Sequence, residues 1–202
     1  MRSLRIGLTG GIGTGKSAAL AAFRRLGAAT VCADEIVHEM SRRGRPMHRA
    51  IVRAFGPRYL TASGELDRKA LAGDVFARPA LRRRLERATH PLVLAEMRRR
   101  MGRARRRVVV ADVPLLFEAG AEGLFDATVV VAAPRALALR RLMRRDRVSR
   151  AEGLARMRAQ LPIERKRDLA DVVIDNRGPL AGLQQEVGRW FAAFDLIAAA
   201  RR

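Results

Sequence analysis

The chain has one cysteine, Cys32, in 202 residues, so it forms no internal disulfide and suits a reducing compartment. Aromatic residues make up only 4%, which leaves little for the stacking platforms of a single-strand nucleic-acid binder. Lysine is almost missing: among 41 basic residues only Lys16, Lys69 and Lys166 are not arginine. No run approaches the roughly 18 apolar residues of a membrane span. The apolar stretch Leu4–Leu8 is broken at once by glycine, so no secretory core fits it either. These absences predict a cytoplasmic protein with no membrane partner. No repeat period and no Gly/Ser- or Pro-rich linker is visible, which predicts one folding unit. The length is sufficient for a substantial core, and 49% hydrophobic residues exclude a disordered chain.

What the chain has in excess is positive charge, +21 with a pI near 11.8. Such a balance fits a nucleic-acid binder. It equally fits a compositional bias, because the excess is arginine and alanine is abundant beside it. A polyanionic small substrate would be drawn by the same field. With so few aromatics, we expect no nucleic-acid partner.

Five short apolar runs read as buried strands: Leu4–Thr9, Ala29–Ala33, Val108–Val113, Ala127–Ala133 and Asp171–Ile174. They are continuous rather than alternating, as in strands covered on both faces, and helical stretches separate them. That is the α/β pattern with a five-stranded parallel sheet between helical layers, a three-layer sandwich. A first helix is expected over Lys16–Leu26, with Gly27 as its stop. A helical insert of about 35–107 follows the second strand, with a turn at Ser63-Gly64. Pro91 there fits a first helical turn, with Leu94, Met97 and Met101 on one face. An arginine-rich helical segment, about 138–167, reads as a lid. The core is left as about 1–34, 108–137 and 168–202, all within a single domain.

The first run leads into Gly10-Gly11-Ile12-Gly13-Thr14-Gly15-Lys16-Ser17, which matches the phosphate-loop spacing between a strand and a helix. Glycines let backbone N–H groups converge on phosphates, and the helix presents its positive end to them. Gly11, Ile12, Gly13, Thr14, Gly15, Lys16 and Ser17 are thus candidate nucleotide-binding residues. Lys16 would reach the β- and γ-phosphates and the Ser17 hydroxyl would ligate Mg²⁺. The loop names a donor, ATP or another triphosphate, and leaves the acceptor open.

Asp34 closes the second run, at the end of the sheet where ligands gather, and could take a proton from an attacking hydroxyl. It could equally cap the helix starting at Glu35. Asp112 ends the third run and is a candidate metal-side carboxylate, or else a cap before Pro114. Glu118 is a weaker candidate of the same kind. Arg140, Arg141, Arg144 and Arg145 lie on one helix as a solvated face or as a source of charge for a transferring phosphoryl group. Arg141 and Arg145, four apart, share a side. His90 could touch an anion, though a capping or core role is the simpler reading. His38 and His48 have no metal-ligand spacing.

Together these residues resemble the dephospho-CoA kinase family, of the P-loop kinase group, over nearly the whole chain. The carriers are "IGLTGGIGTGKS" at 6–17, Ala33-Asp34 and "GELDRKALAGDVFARP" at Gly64–Pro79. His90-Pro91, "DVPLLFE" at Asp112–Glu118, "LRRLMRRD" with Gln160 downstream, and "VIDNRG" at Val173–Gly178 complete the series. The resemblance implies a P-loop NTPase-type fold with a helical substrate-binding insert and a helical lid. It implies transfer of the γ-phosphoryl of ATP, with Mg²⁺, to the ribose 3′-hydroxyl of dephospho-CoA. Asp34 would then activate the hydroxyl, and Arg141 and Arg145 would be lid arginines. Asn176 and Gly178 would border the adenine, and Thr9, Asp34, Arg68, His90 and Leu115 would meet the acceptor. A monomer acting on a small molecule is the form expected.

One residue departs from the pattern. Cys32 stands where the family commonly has the first aspartate of Asp-Ala-Asp. The retained acid, Asp34, is the one to which the implied role belongs. A nucleoside or nucleotide kinase would share the donor chemistry, and a basic nucleic-acid-binding NTPase would share the loop and the charge. Both remain alternatives at this point.

Overall fold

The apolar runs form strands because, in a parallel sheet covered on both faces, nearly every side chain is buried. In the computed structural model, which describes residues 3–201, these are β1 (Leu4–Gly10), β2 (Ala29–Cys32), β3 (Val108–Asp112), β4 (Ala127–Ala132) and β5 (Val172–Asp175). Positions 1, 2 and 202 of the expected domain lie outside the described residues. The sheet order is β2-β3-β1-β4-β5. β1 pairs in parallel with β3, Ile6 opposite Val110, and with β4, Leu8 opposite Val129; β5 extends β4 in the same sense. The chain leaves β1 towards β2 and leaves β3 towards β4. The strand order therefore switches between β1 and β3, the place where open α/β sheets bind ligands.

Helices follow the strands: α1 (Lys16–Arg25), α2 (Ala33–Met40), α3 (Pro46–Phe55), α4 (Arg68–Ala77) and α5 (Pro79–Arg103). After β4 come α6 (Arg135–Asp146), α7 (Arg150–Arg158) and α8 (Ile163–Leu169), and α9 (Leu180–Ala200) ends the chain. Among the described residues no helix is long and apolar enough to cross a membrane.

The chain divides into two units, Met1–Val31 with Arg100–Arg202, and Cys32–Arg99. In the first, Ile6, Leu8, Val110, Val131 and Ile174 of the sheet pack with Phe23 of α1 and Val187 and Phe194 of α9. Each such side chain contributes roughly 1.5–3 kcal/mol when buried. Exposed ion pairs contribute about 0–1 kcal/mol each, so the apolar sheet and not the charged surface holds this unit. In the second, Met47, Ile51, Tyr59, Leu66 and Leu71 form the core, with Leu85, Leu92 and Val93 of α5 packed on it. The expected turn at Ser63-Gly64 is present, with Gly64 N–H donating to the Thr61 carbonyl at 2.9 Å. Tyr59 donates its hydroxyl to Asp74 at 2.6 Å. Burial pushes the Tyr59 phenol up, and its hydrogen bond holds the Asp74 carboxyl down.

Two expectations are corrected. Pro91 does not open a helix: α5 runs through it from Pro79 to Arg103. A proline in a helix interior costs about 3 kcal/mol, and burial of the neighbouring Leu85, Leu92 and Val93 offsets that. Nor does Asp34 close a strand or cap a helix. β2 ends at Cys32, Cys32 is the N-cap, and Asp34 is the second residue of α2.

Candidate active site

The phosphate loop joins β1 to α1 at the switch point. Gly15 caps α1 in the left-handed conformation, φ 99°, with no side-chain cap bond. The first helical N–H groups, at Lys16 and Ser17, therefore lie open to an anion. Gly13 is also left-handed, φ 79°, and a Cβ there would stand 2.2 Å from the Ala138 carbonyl of α6. At Gly15 a Cβ would stand 2.1 Å from the Asn176 side-chain nitrogen. Neither position admits a side chain.

One contact within the loop and two from outside brace it. Thr14 turns its hydroxyl onto the Gly11 carbonyl at 2.8 Å. Asn176, after β5, donates its amide to the Thr14 carbonyl at 2.8 Å and is itself buried. Gln160, between α7 and α8, accepts the Ile12 N–H on its side-chain oxygen at 3.0 Å. A cavity of about 260 Å³ borders this side of the loop, lined by Gly11, Ile12, Ala138, Met157, Gln160 and Ile163 among others.

Lys16, from α1, and Asp112, from the end of β3, form an ion pair in which both side chains are largely buried. Ser17 is exposed beside Lys16. This donor set fits Mg²⁺ that is held mainly by phosphate and water: one accessible hydroxyl and one nearby carboxylate, with no ready-made protein cage. Among the described residues no group of three or more His, Cys, Asp or Glu could hold a metal alone.

Arg141 and Arg145 have different partners. Arg141 donates to the carbonyls of Asn176, at 3.1 Å, and Gly178, at 3.4 Å, tying α6 to the loop after β5. Arg145 turns away to Asp146 at 2.6 Å, and Arg156 of α7 joins the same carboxylate at 2.9 Å. The hydrogen bond from Arg145 holds the Asp146 carboxyl below its ordinary value and raises Arg145 in return. Ser149 and Glu152 form a capping box that starts α7 and lowers the Glu152 carboxyl.

The stretch after β3 is anchored in the interior. Thr9 is fully buried and donates its hydroxyl to the Pro114 carbonyl at 3.1 Å. Leu115 beside it is 45% exposed. Lys166 of α8 is 0% exposed, donates to the same Pro114 carbonyl at 2.9 Å and forms an ion pair with Glu118 at 2.9 Å. Glu118 also accepts the Leu161 N–H at 2.9 Å. The sequence did not single out Lys166 as buried. The one signal was its rarity, since it is one of three lysines in a chain that otherwise uses arginine.

In the 32–99 unit, Asp34 and His38 are exposed one helical turn apart on α2. Arg68, at the start of α4, donates to the buried Ser41 hydroxyl at 2.6 Å, just past the end of α2. His90 is half-buried in the middle of α5. His48 is buried, and its Nε2 meets the Gly64 carbonyl at 2.9 Å. The structure thus groups Lys16, Ser17, Asp112, Asn176 and Arg141 about the phosphate loop. Thr9 is turned inward and Arg145 is engaged with Asp146.

The family model for dephospho-CoA kinase matches residues 4–182. The chain belongs to the dephospho-CoA kinase family. A dephospho-CoA kinase of Anaeromyxobacter dehalogenans is 46% identical over 190 residues, 93% of this chain and 90% of that protein. Among solved structures, TT1252 from Thermus thermophilus superposes with a TM-score of 0.84 at 36% identity, covering 96% of this chain and 98% of that one. The dephospho-CoA kinase from Campylobacter jejuni does so with a TM-score of 0.70 at 28% identity, covering 98% of both chains. Every candidate residue of this kinase, from Thr9 to Gly178, lies inside the span matched to the family.

Proposed function

We propose that the chain transfers the γ-phosphoryl group of ATP to the ribose 3′-hydroxyl of dephospho-CoA, giving CoA and ADP, the last step of coenzyme A synthesis. The observation that carries this reading is the family match over residues 4–182. It is supported by a phosphate loop whose Gly13 and Gly15 leave no room for side chains. The place of action we propose is the cytoplasm.

The loose transition state of phosphoryl transfer needs positioning and charge neutralisation more than a strong base. The open N–H groups of Lys16 and Ser17 hold the β-phosphate, and Lys16 exchanges Asp112 for phosphate oxygens. Ser17 would ligate Mg²⁺, with Asp112 facing its water shell; the ion would supply charge neutralisation between the β- and γ-phosphates. Asp34 orients the ribose hydroxyl and takes its proton late in the transfer. Arg68 and His90 bind the acceptor, together with Leu115. Arg141 shapes the loop around the adenine through Asn176 and Gly178. Arg145 leaves Asp146 and brings a positive charge to the γ-phosphoryl group when nucleotide is bound.

A panel of acceptors tests the reading. With ATP and Mg²⁺, dephospho-CoA supports ADP release, while nucleosides and nucleoside monophosphates do not. Faster turnover of a nucleoside or nucleotide than of dephospho-CoA would overturn it.

A further inference from the structure

Lys166 has no place in the mechanism above, yet it is completely buried. Its ammonium lies between a carbonyl and a carboxylate, Pro114 and Glu118, each at 2.9 Å. A buried ion pair is seldom favoured over apolar residues on stability alone, because desolvation offsets much of the attraction. Its presence in α8 asks for a role in position. A compact ammonium with three donors suits a carbonyl and a carboxylate on different sides, where a broad planar guanidinium does not. Lysine is kept here although 41 basic residues include only three lysines, and Lys16 of the phosphate loop is another of them.

The partners lead from Lys166 to the phosphate loop. Pro114 also accepts the Thr9 hydroxyl, at 3.1 Å, so its carbonyl joins the end of β1 to α8. The stretch it belongs to begins at Asp112, the partner of Lys16. At the far end of that stretch Glu118 takes the Leu161 N–H at 2.9 Å. The residue before Leu161 is Gln160, whose side chain holds the Ile12 N–H at 3.0 Å. One buried cation thereby joins two points, Pro114 and Glu118, of a chain of contacts that runs from Thr9 to Ile12 of the phosphate loop.

We propose that Lys166 is a positioning residue for phosphoryl transfer. Through Pro114 and Glu118 it sets the 112–118 stretch, and through Glu118 it seats Gln160 on Ile12, so that the lid return registers against the phosphate loop. This inference rests on the kinase reading for its turnover arm only.

Three variants test it: Lys166→Met, the pair Lys166→Met/Glu118→Leu, and Gln160→Ala. Melting temperature, calorimetric ATP affinity, and kcat and KM for dephospho-CoA are measured for each. Lys166→Met melts earlier than wild type because Glu118 loses its partner. The pair variant regains stability, yet its ATP affinity and kcat stay roughly 10–100-fold below wild type, the scale of a small misplacement of reacting groups. KM for dephospho-CoA stays unchanged. Gln160→Ala, which removes no buried charge, shows the same pattern, and adding it to the pair variant brings no further loss. Wild-type ATP affinity and kcat in a stable pair variant would make Lys166 purely structural and overturn the proposal. Should the pair variant not fold, unaltered ATP affinity and kcat in Gln160→Ala would overturn it equally. If wild type binds ATP but does not phosphorylate dephospho-CoA, the kinase reading fails, and the ATP affinities still decide the role of Lys166.

Discussion

Asn176 donates its side-chain amide to the Thr14 carbonyl at 2.8 Å, across 162 positions of chain. The residue expected to border the adenine is thus turned onto the backbone of the phosphate loop. Asn176→Ala removes a buried hydrogen bond and leaves a carbonyl unsatisfied, at a cost of about 1–3 kcal/mol. We expect a lower melting temperature and an ATP affinity weaker by roughly tenfold, a loss on the scale of one hydrogen bond. Thermal melts with and without ATP measure both, and an unchanged ATP-induced shift would refute the bracing role.

Gly15→Ala is a harsher change in the same place. Its Cβ would stand 2.1 Å from the Asn176 nitrogen, on a backbone with φ 99° that L residues rarely adopt. Strain of order 1–3 kcal/mol adds to the displacement of Asn176. The variant should fold less stably and lose ATP binding by calorimetry. Normal binding would mean that the loop relaxes at no cost.

The α6–α7 segment should weaken in acid. Asp146 and Glu152 have their carboxyls lowered from 3.8 and 4.5, by Arg145 and by Ser149 respectively. A group whose folded value is depressed stabilises the fold above its unfolded value and loses that contribution as pH falls through the folded value. Stability should therefore be full near neutrality and decline as pH drops below about 4.5. Melting curves on wild type and Asp146→Asn check this. The variant should lose less on going from pH 7 to pH 3 than wild type does. Parallel slopes would show that Asp146 contributes nothing.

Pro91 lies inside α5, where it removes a helical hydrogen bond. Pro91→Ala should raise stability by about 1–3 kcal/mol, the cost of an interior proline less what the surrounding packing has already accommodated. Denaturant unfolding measures the change, and a loss of stability would show that the helix depends on proline at this site.

The strands were legible because buried parallel strands read as continuous apolar runs: Val108–Asp112 was expected as Val108–Val113. The phosphate loop was legible because its spacing is itself the mechanism. The helix through Pro91 was not, since the local proline rule is overridden by packing of Leu85, Leu92 and Val93 that only tertiary structure shows. Asp34 was misplaced by two residues of geometry: β2 passes into α2 with no connecting loop, so an acid read as a strand end is a helical residue. Lys166 was the least legible. In "IERKRD" it reads as one more solvated charge, and its burial depends on Pro114 and Glu118, about fifty positions away.

Asp34→Asn separates the chemistry from nucleotide binding. The variant keeps an oxygen that can accept the ribose hydroxyl but cannot take its proton. Turnover should fall by about 10²–10⁴-fold, the usual reach of a general base. ATP affinity should stay within about twofold, because the loop that holds phosphate belongs to the other end of the mechanism. Near-wild-type turnover would remove Asp34 from the role proposed for it.

The central claim concerns where the phosphoryl group goes. Wild-type protein is incubated with ATP, Mg²⁺ and dephospho-CoA, and the product is identified by mass and by phosphorus NMR. The account predicts one new phosphomonoester, on the ribose 3′-oxygen, formed in step with ADP. Folded protein that hydrolyses ATP without that product, or places the phosphate elsewhere, would contradict it.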